Sequence, residues 1–113
     1  MGEFIREQLQ REGVNTDSVI TDPDRLTALV VLGIKDKDTF PLIFYRENCA
    51  DMAITIDDIN AEQISHSKAL LITGTHFSTE HIYHTSRHAL HLARQAGVKT
   101  VLDIDYRLSL IHI

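Results

Sequence analysis

The stretch from residue 69 to residue 104 constrains this chain more than any other. ALLIT (Ala69–Thr73) is a short apolar run, a helical pattern follows as far as Ala96, and TVLDI (residues 100–104) is a second apolar run. Ser78 or Thr79 offers the hydroxyl that caps a helix start, and Gly97 is the residue that ends one. A strand, a helix and a strand in that order cross over right-handed and pair in parallel. The fold class is therefore α/β. Ligands of such sheets gather beyond the carboxyl ends of the strands, which here are Gly74-Thr75 and Asp105-Tyr106-Arg107.

A parallel sheet normally has several strands and both faces covered. The chain has 113 residues, one domain at most, and offers few further strands and little to cover them. It is expected to be a piece of a larger domain and to fold poorly alone.

The second informative stretch is LTALVVLGIKDKDTFPLIFYRENCAD (residues 26–51). Residues 26–34 and 40–47 read as two apolar strands around the polar turn KDKDT, with Pro41 marking an edge. By strand parity Leu42, Phe44 and Arg46 share one face, and Ile43 and Tyr45 the other. A hairpin apolar on both faces suits a lid, one face closing over a substrate and the other packing on a partner lid. Arg46 gives it a fixed cation at its end. With Arg107 at the end of a sheet strand, two arginines from distant segments point to a small acidic molecule, because the guanidinium fork donates two parallel bonds to a carboxylate. The competing readings are a solvated strand-end charge for Arg46 and an ion pair with Asp103 or Asp105 for Arg107.

Around these stretches, residues 3–12 read as a helix stopped by Gly13, residues 14–20 as extended, TDPDR (residues 21–25) as a turn, and residues 57–65 as a short helix after a capping aspartate. The net charge of −5, with no Lys/Arg cluster, argues against nucleic acid. No apolar run is long enough to span a membrane. The single cysteine, Cys49, reads as a packing residue, and with no export signal the expected compartment is the cytoplasm. His81, His84, His88 and His91 form one helical stripe; a solvated surface is favoured over a metal site, since no Cys or acid completes one.

FIREQLQREGVNTDSV, TDPDRLTALVVLGI, FPLIFYRENCADMAI, ALLITGTHFS and DIDYR, in that order, resemble the PfkB-type (ribokinase-like) carbohydrate kinases. The resemblance covers residues 1–107. FYRENCAD and TGTHFS are similar to a subgroup acting on keto sugar acids. It implies a partial ribokinase-like fold, with a hairpin lid (residues 26–47) and a βαβ unit (residues 69–107). It also implies ATP-dependent transfer of phosphate to a primary hydroxyl, with Mg²⁺, and lid strands that often pair two subunits. For the site it implies substrate contacts from Arg46 on the lid and Arg107 on the sheet, an aromatic wall at Phe44, the facing position at Val30, and Thr75 meeting the sugar where Gly74 allows close approach. Val30 also reads as lid core, and Asn48 and Tyr45 are weaker candidates.

The family's glycine-rich segment with its catalytic aspartate is expected beyond residue 107, so no catalytic residue, ATP or Mg²⁺ site is expected within the chain. LSLIHI (residues 108–113) is the translation of a transposon adapter end and is expected to be a non-native tail. Kinases of 2-keto-3-deoxygluconate or fructose are the neighbouring possibilities. A stand-alone binding module docking through the hairpin and a His-rich metal-handling protein are readings of other classes.

Overall fold

The computed structural model describes residues 1–104. They fall into two compact units, Met1–Ala53 and the part from Ile54 onward. Asp105, Tyr106, Arg107 and the expected tail lie outside the described residues.

The first unit begins with α1 (Gly2–Arg11). Gly13, at φ 78°, terminates it, because a left-handed residue lets its own N–H reach Gln10 O (3.0 Å) and that of Val14 reach Leu9 O (2.9 Å). The segment after the helix is irregular and is tied back to it. Arg6 donates to Val19 O and to Thr21 Oγ1 (2.9 Å), and Gln10 Nε2 donates to the buried Thr16 hydroxyl (2.9 Å).

The hairpin follows. Strands β1 (Leu29–Leu32) and β2 (Leu42–Tyr45) pair antiparallel, with Val30 opposite Phe44 and Leu32 opposite Leu42. Both are shorter than the sequence predicts, for identifiable reasons. Gly33 donates to Pro41 O (3.0 Å), but Pro41 has no N–H to return, which weakens the ladder there. At the other end Leu26 O is taken by Ala50 N–H (2.9 Å), so the first strand has left its partner. All eight strand side chains are exposed; the expectation of a hairpin apolar on both faces holds.

The second unit is the βαβ element. Strands β3 (Ala69–Thr73) and β4 (Lys99–Asp103) pair in parallel, joined through α3 (Glu80–Gln95). Thr79, not Ser78, caps α3 by accepting from Ile82 N–H. Gly97, at φ 70°, ends it as Gly13 ends α1; Val98 N–H returns to Ala93 O (2.8 Å). Ile64, Ala89 and Ala93 form the core, with Leu70, Leu92 and Val98 against it. Ala96, at the end of the helix, is exposed. Thr85 and Ser86 are buried, their hydroxyls donating to Ile54 O (3.1 Å) and His76 O (3.2 Å).

The single helix expected over residues 57–65 is two pieces. A 3-10 turn, Ile56–Asp58, is capped by Thr55, and α2 (Ala61–Ser65) is capped by Asn60. The Asn60 side chain accepts from Gln63 N–H (2.9 Å), which restarts the helix at that residue; no aspartate caps it. In the histidine stripe, His81, His84 and His91 are exposed and His88 is half-buried. His84 Nε2 lies 3.8 Å from Glu80 Oε1. Among the described residues no three His, Cys, Asp or Glu side chains converge as metal ligands, and no helix is long and apolar enough to cross a membrane.

Candidate functional site at the turn after the hairpin

The motif RENCAD (residues 46–51) folds the chain back on itself, and each residue has a part in doing so. Strand β2 ends at Tyr45, so Arg46 stands just past the ladder. Asn48 takes a left-handed backbone, φ 49°, a conformation that asparagine tolerates better than most residues. Cys49 is buried, its thiol directed to the carbonyls of Tyr45 (3.5 Å) and Glu47 (3.6 Å). This fits the packing role read from the sequence. Ala50 is pinned by its bond to Leu26 O and opens a 3-10 turn, Ala50–Met52. The turn returns Asp51 to Arg46, and the two form an ion pair through Arg46 Nη2 and Asp51 Oδ2.

A second turn braces the first. In TDPDR, Asp22 Oδ1 accepts from the N–H of Asp24 (2.8 Å) and of Arg25 (3.1 Å). Its other oxygen pairs with Arg25 Nη1 at 3.0 Å. Arg25 Nε in turn donates to Asn48 Oδ1 (3.3 Å). The Asp24 backbone N–H, aided by the Arg25 guanidinium, holds the Asp22 carboxyl below its ordinary value of 3.8.

Phe44 and Arg46 line one open hollow of about 380 Å³, together with Leu26, Leu29 and Cys49. Tyr45 and Glu47 line it as well, so it has an apolar wall, one cation and one acid. On the other side of the turn, Asp51, Arg25, Arg6 and Ile20 border a hollow of about 560 Å³. Val30 faces Phe44 across the ladder, is exposed and does not line the smaller hollow. Phe44 and Arg46 are thus brought together.

Thr75 belongs to the second unit. It sits in the 3-10 turn Gly74–Phe77 directly after β3, half-buried, with its carbonyl accepting from Ser78 N–H (3.2 Å). The close approach that requires Gly74 is an internal one: a Cβ there would stand 2.9 Å from the carbonyl carbon of Ile104. The glycine therefore serves the packing of the chain against itself at the strand exit. Arg107 lies outside the described residues. The sequence reading missed Asp51 altogether. Its signal was available as an acid five positions after an arginine across an Asn-containing turn.

The sequence profile of one family, pfkB family carbohydrate kinase, matches residues 1–111. A protein named 5-dehydro-2-deoxygluconokinase, from Geobacillus thermodenitrificans (strain NG80-2), is 36% identical over 108 residues. The match takes in 95% of this chain and 32% of that protein, so the chain spans about a third of the length of the curated relatives it matches. Among solved structures, fructokinase from Xylella fastidiosa superposes with a TM-score of 0.89 at 20% identity, over 97% of this chain and 35% of that one. The same enzyme with bound ATP gives 0.88 at 20% identity, over 97% and 34%. These superpositions establish the ribokinase-like fold that the sequence predicts.

Proposed function

The chain belongs to the pfkB family of carbohydrate kinases, and from that premise we propose that it is part of an ATP-dependent kinase of a keto sugar acid. The proposed substrate is 5-dehydro-2-deoxygluconate, an intermediate of myo-inositol breakdown, phosphorylated at its primary hydroxyl. The name of the Geobacillus relative supports this substrate, and the ATP-bound fructokinase supports the donor. One observation carries the reading: Arg46 is a fixed cation at the end of an apolar hairpin, beside the Phe44 wall. A carboxylate is the anion that such a planar fork matches. Phe44 is proposed to cover the carbon chain, and Thr75 and Arg107 are proposed as further substrate contacts.

The chain is proposed to supply the lid and part of the central sheet of the kinase domain. The base that takes the proton from the hydroxyl, and the groups that hold ATP with Mg²⁺, are proposed to lie in the portion of the kinase that this chain does not span. ATP supplies the transferred phosphoryl group, and Mg²⁺ spreads its charge. The residues described here bind and orient the acceptor and exclude water from it. The exposed Ile43 and Tyr45 face suits pairing with a second lid in an oligomer. A cytoplasmic enzyme is in keeping with a lone, buried cysteine.

The test is phosphoryl transfer from ATP by the full-length kinase to three acceptors: 5-dehydro-2-deoxygluconate, 2-keto-3-deoxygluconate and fructose. The first is expected to have the highest kcat/KM. Arg46→Ala is expected to lower that value for both acids by about a hundredfold while sparing fructose, the size of a lost charge-assisted contact. A preference for fructose that survives Arg46→Ala would overturn the reading.

A further inference from the structure

We infer that Asp51 is the positioning residue for Arg46 and thereby sets the preference of the site for a carboxylate-bearing sugar; this rests on Arg46 being the carboxylate contact.

Arginine on a strand end is a poor recognition group by itself. Its side chain carries about 2 kcal/mol of rotamer entropy, which a ligand must overcome to hold it. Here the cost is met before the ligand arrives. Asp51 reaches Arg46 through one nitrogen of the fork, Nη2, and the fork has five N–H donors. The remaining donors keep a fixed direction and stay available.

Asp51 is itself well placed to act as an anchor. Its backbone lies in the 3-10 turn pinned at Ala50 to Leu26 O. Its neighbour Cys49 is 5% exposed. Its second oxygen, Oδ1, is buried and has no hydrogen-bond partner among the described residues. A bare carboxylate oxygen is costly; the pairing that the structure shows for this carboxylate is with Arg46, through Oδ2. The pair is about one-third exposed on each side, 31% and 34%, so Arg46 is held without being sealed from a ligand.

The full-length kinase is the material for the test. KM and kcat are measured with the sugar acid and with fructose as the neutral sugar, for the wild type, Asp51→Asn, Asp51→Glu, Arg46→Ala and the Arg46→Ala/Asp51→Asn double variant. Asp51→Asn is expected to raise KM for the acid about tenfold, the scale of one misplaced charge-assisted bond, with kcat and the neutral sugar's KM within about twofold. In the Arg46→Ala background it is expected to add nothing.

An unchanged or lowered KM for the acid overturns the inference, because Asp51 would then be a bystander or a competitor of the substrate. So does an equal change for the neutral sugar, or additivity in the double variant. If Arg46→Ala leaves the acid's KM untouched, the carboxylate reading of Arg46 itself has failed and the inference falls with it. If Arg46→Ala raises it and Asp51→Asn does not, only the inference falls. Should Asp51→Asn lose its fold by circular dichroism, Asp51→Glu decides: a displaced carboxylate must shift the acid's KM more than the neutral sugar's.

Discussion

Gly74 and Ile104 pass so closely at the carboxyl ends of β3 and β4 that no side chain fits between them. A Cβ on Gly74 would lie 2.9 Å from Ile104 C and 3.4 Å from Asp103 O. Both are backbone atoms, which cannot rotate away as the end of a flexible side chain would. Gly74→Ala is therefore expected to push the two strand exits apart. The cost is of the order of overpacking a core, about 2 kcal/mol. A urea midpoint for the full-length kinase measures it, and an unchanged midpoint would show that the strand exits yield freely.

This pair also marks where sequence reading succeeds and where it stops. The βαβ unit was legible because its signals are local: a run of apolar residues, a hydroxyl cap at Thr79, and a glycine at 97 followed by a second run. The same holds for Gly13 and for the hairpin, whose turn chemistry and apolar alternation lie within residues 26–47. What was not legible depends on contacts distant in sequence. Nothing in TGTHFS says that Gly74 will meet Ile104. Nothing in RENCAD alone says that Arg25 will buttress Asn48 across 23 positions. The split at Ile59-Asn60 was missed because an Asn cap and an Asp cap are preferred on nearly equal terms, and it is the Asn60 side chain that accepts from Gln63 N–H.

Asn48 supplies the bend that returns Asp51 to Arg46. At φ 49° a glycine is equally at ease, whereas a β-branched residue pays the left-handed penalty of about 1–2 kcal/mol. Asn48→Gly is expected to keep the bend but lose the Arg25 contact, with a small effect on thermal stability. Asn48→Val is expected to be the more damaging, lowering stability by about 1–2 kcal/mol and raising KM for the sugar acid. Equal effects from both substitutions would mean that the Arg25 bond, and not the backbone conformation, maintains the turn.

The turn at residues 22–25 should loosen in acid. Asp22 has its pKa depressed in the folded chain, chiefly by the Asp24 N–H and then by Arg25. A depressed carboxylate contributes stability that is present above its unfolded value and is lost as pH falls through the folded one. The window is therefore below the ordinary value of 3.8. Amide exchange at Asp24 and Arg25 is expected to accelerate there, once intrinsic exchange rates are taken into account. Asp22→Asn should abolish that acid step, and a step that persists in the variant would assign it to another carboxylate.

The 113-residue chain on its own is expected not to unfold cooperatively. In the first unit only Thr16 and Cys49 are buried among the described residues, while Leu32, Leu42, Ile43, Phe44 and Tyr45 are each about half exposed or more. Burial of such a side chain contributes about 1.5–3 kcal/mol, and here that contribution is largely absent. The second unit has a small core around Ala89 and Ala93, yet Leu71 and Val101 on its sheet remain exposed, at 62% and 51%. A parallel pair open on one face is not a stable arrangement by itself. The isolated chain should bind a hydrophobic dye, self-associate, and melt over a broad range. A sharp, concentration-independent transition with a monomeric mass would show instead that helix capping and turn hydrogen bonds suffice to hold it, and the lid would then be a stable element before any partner or substrate covers it.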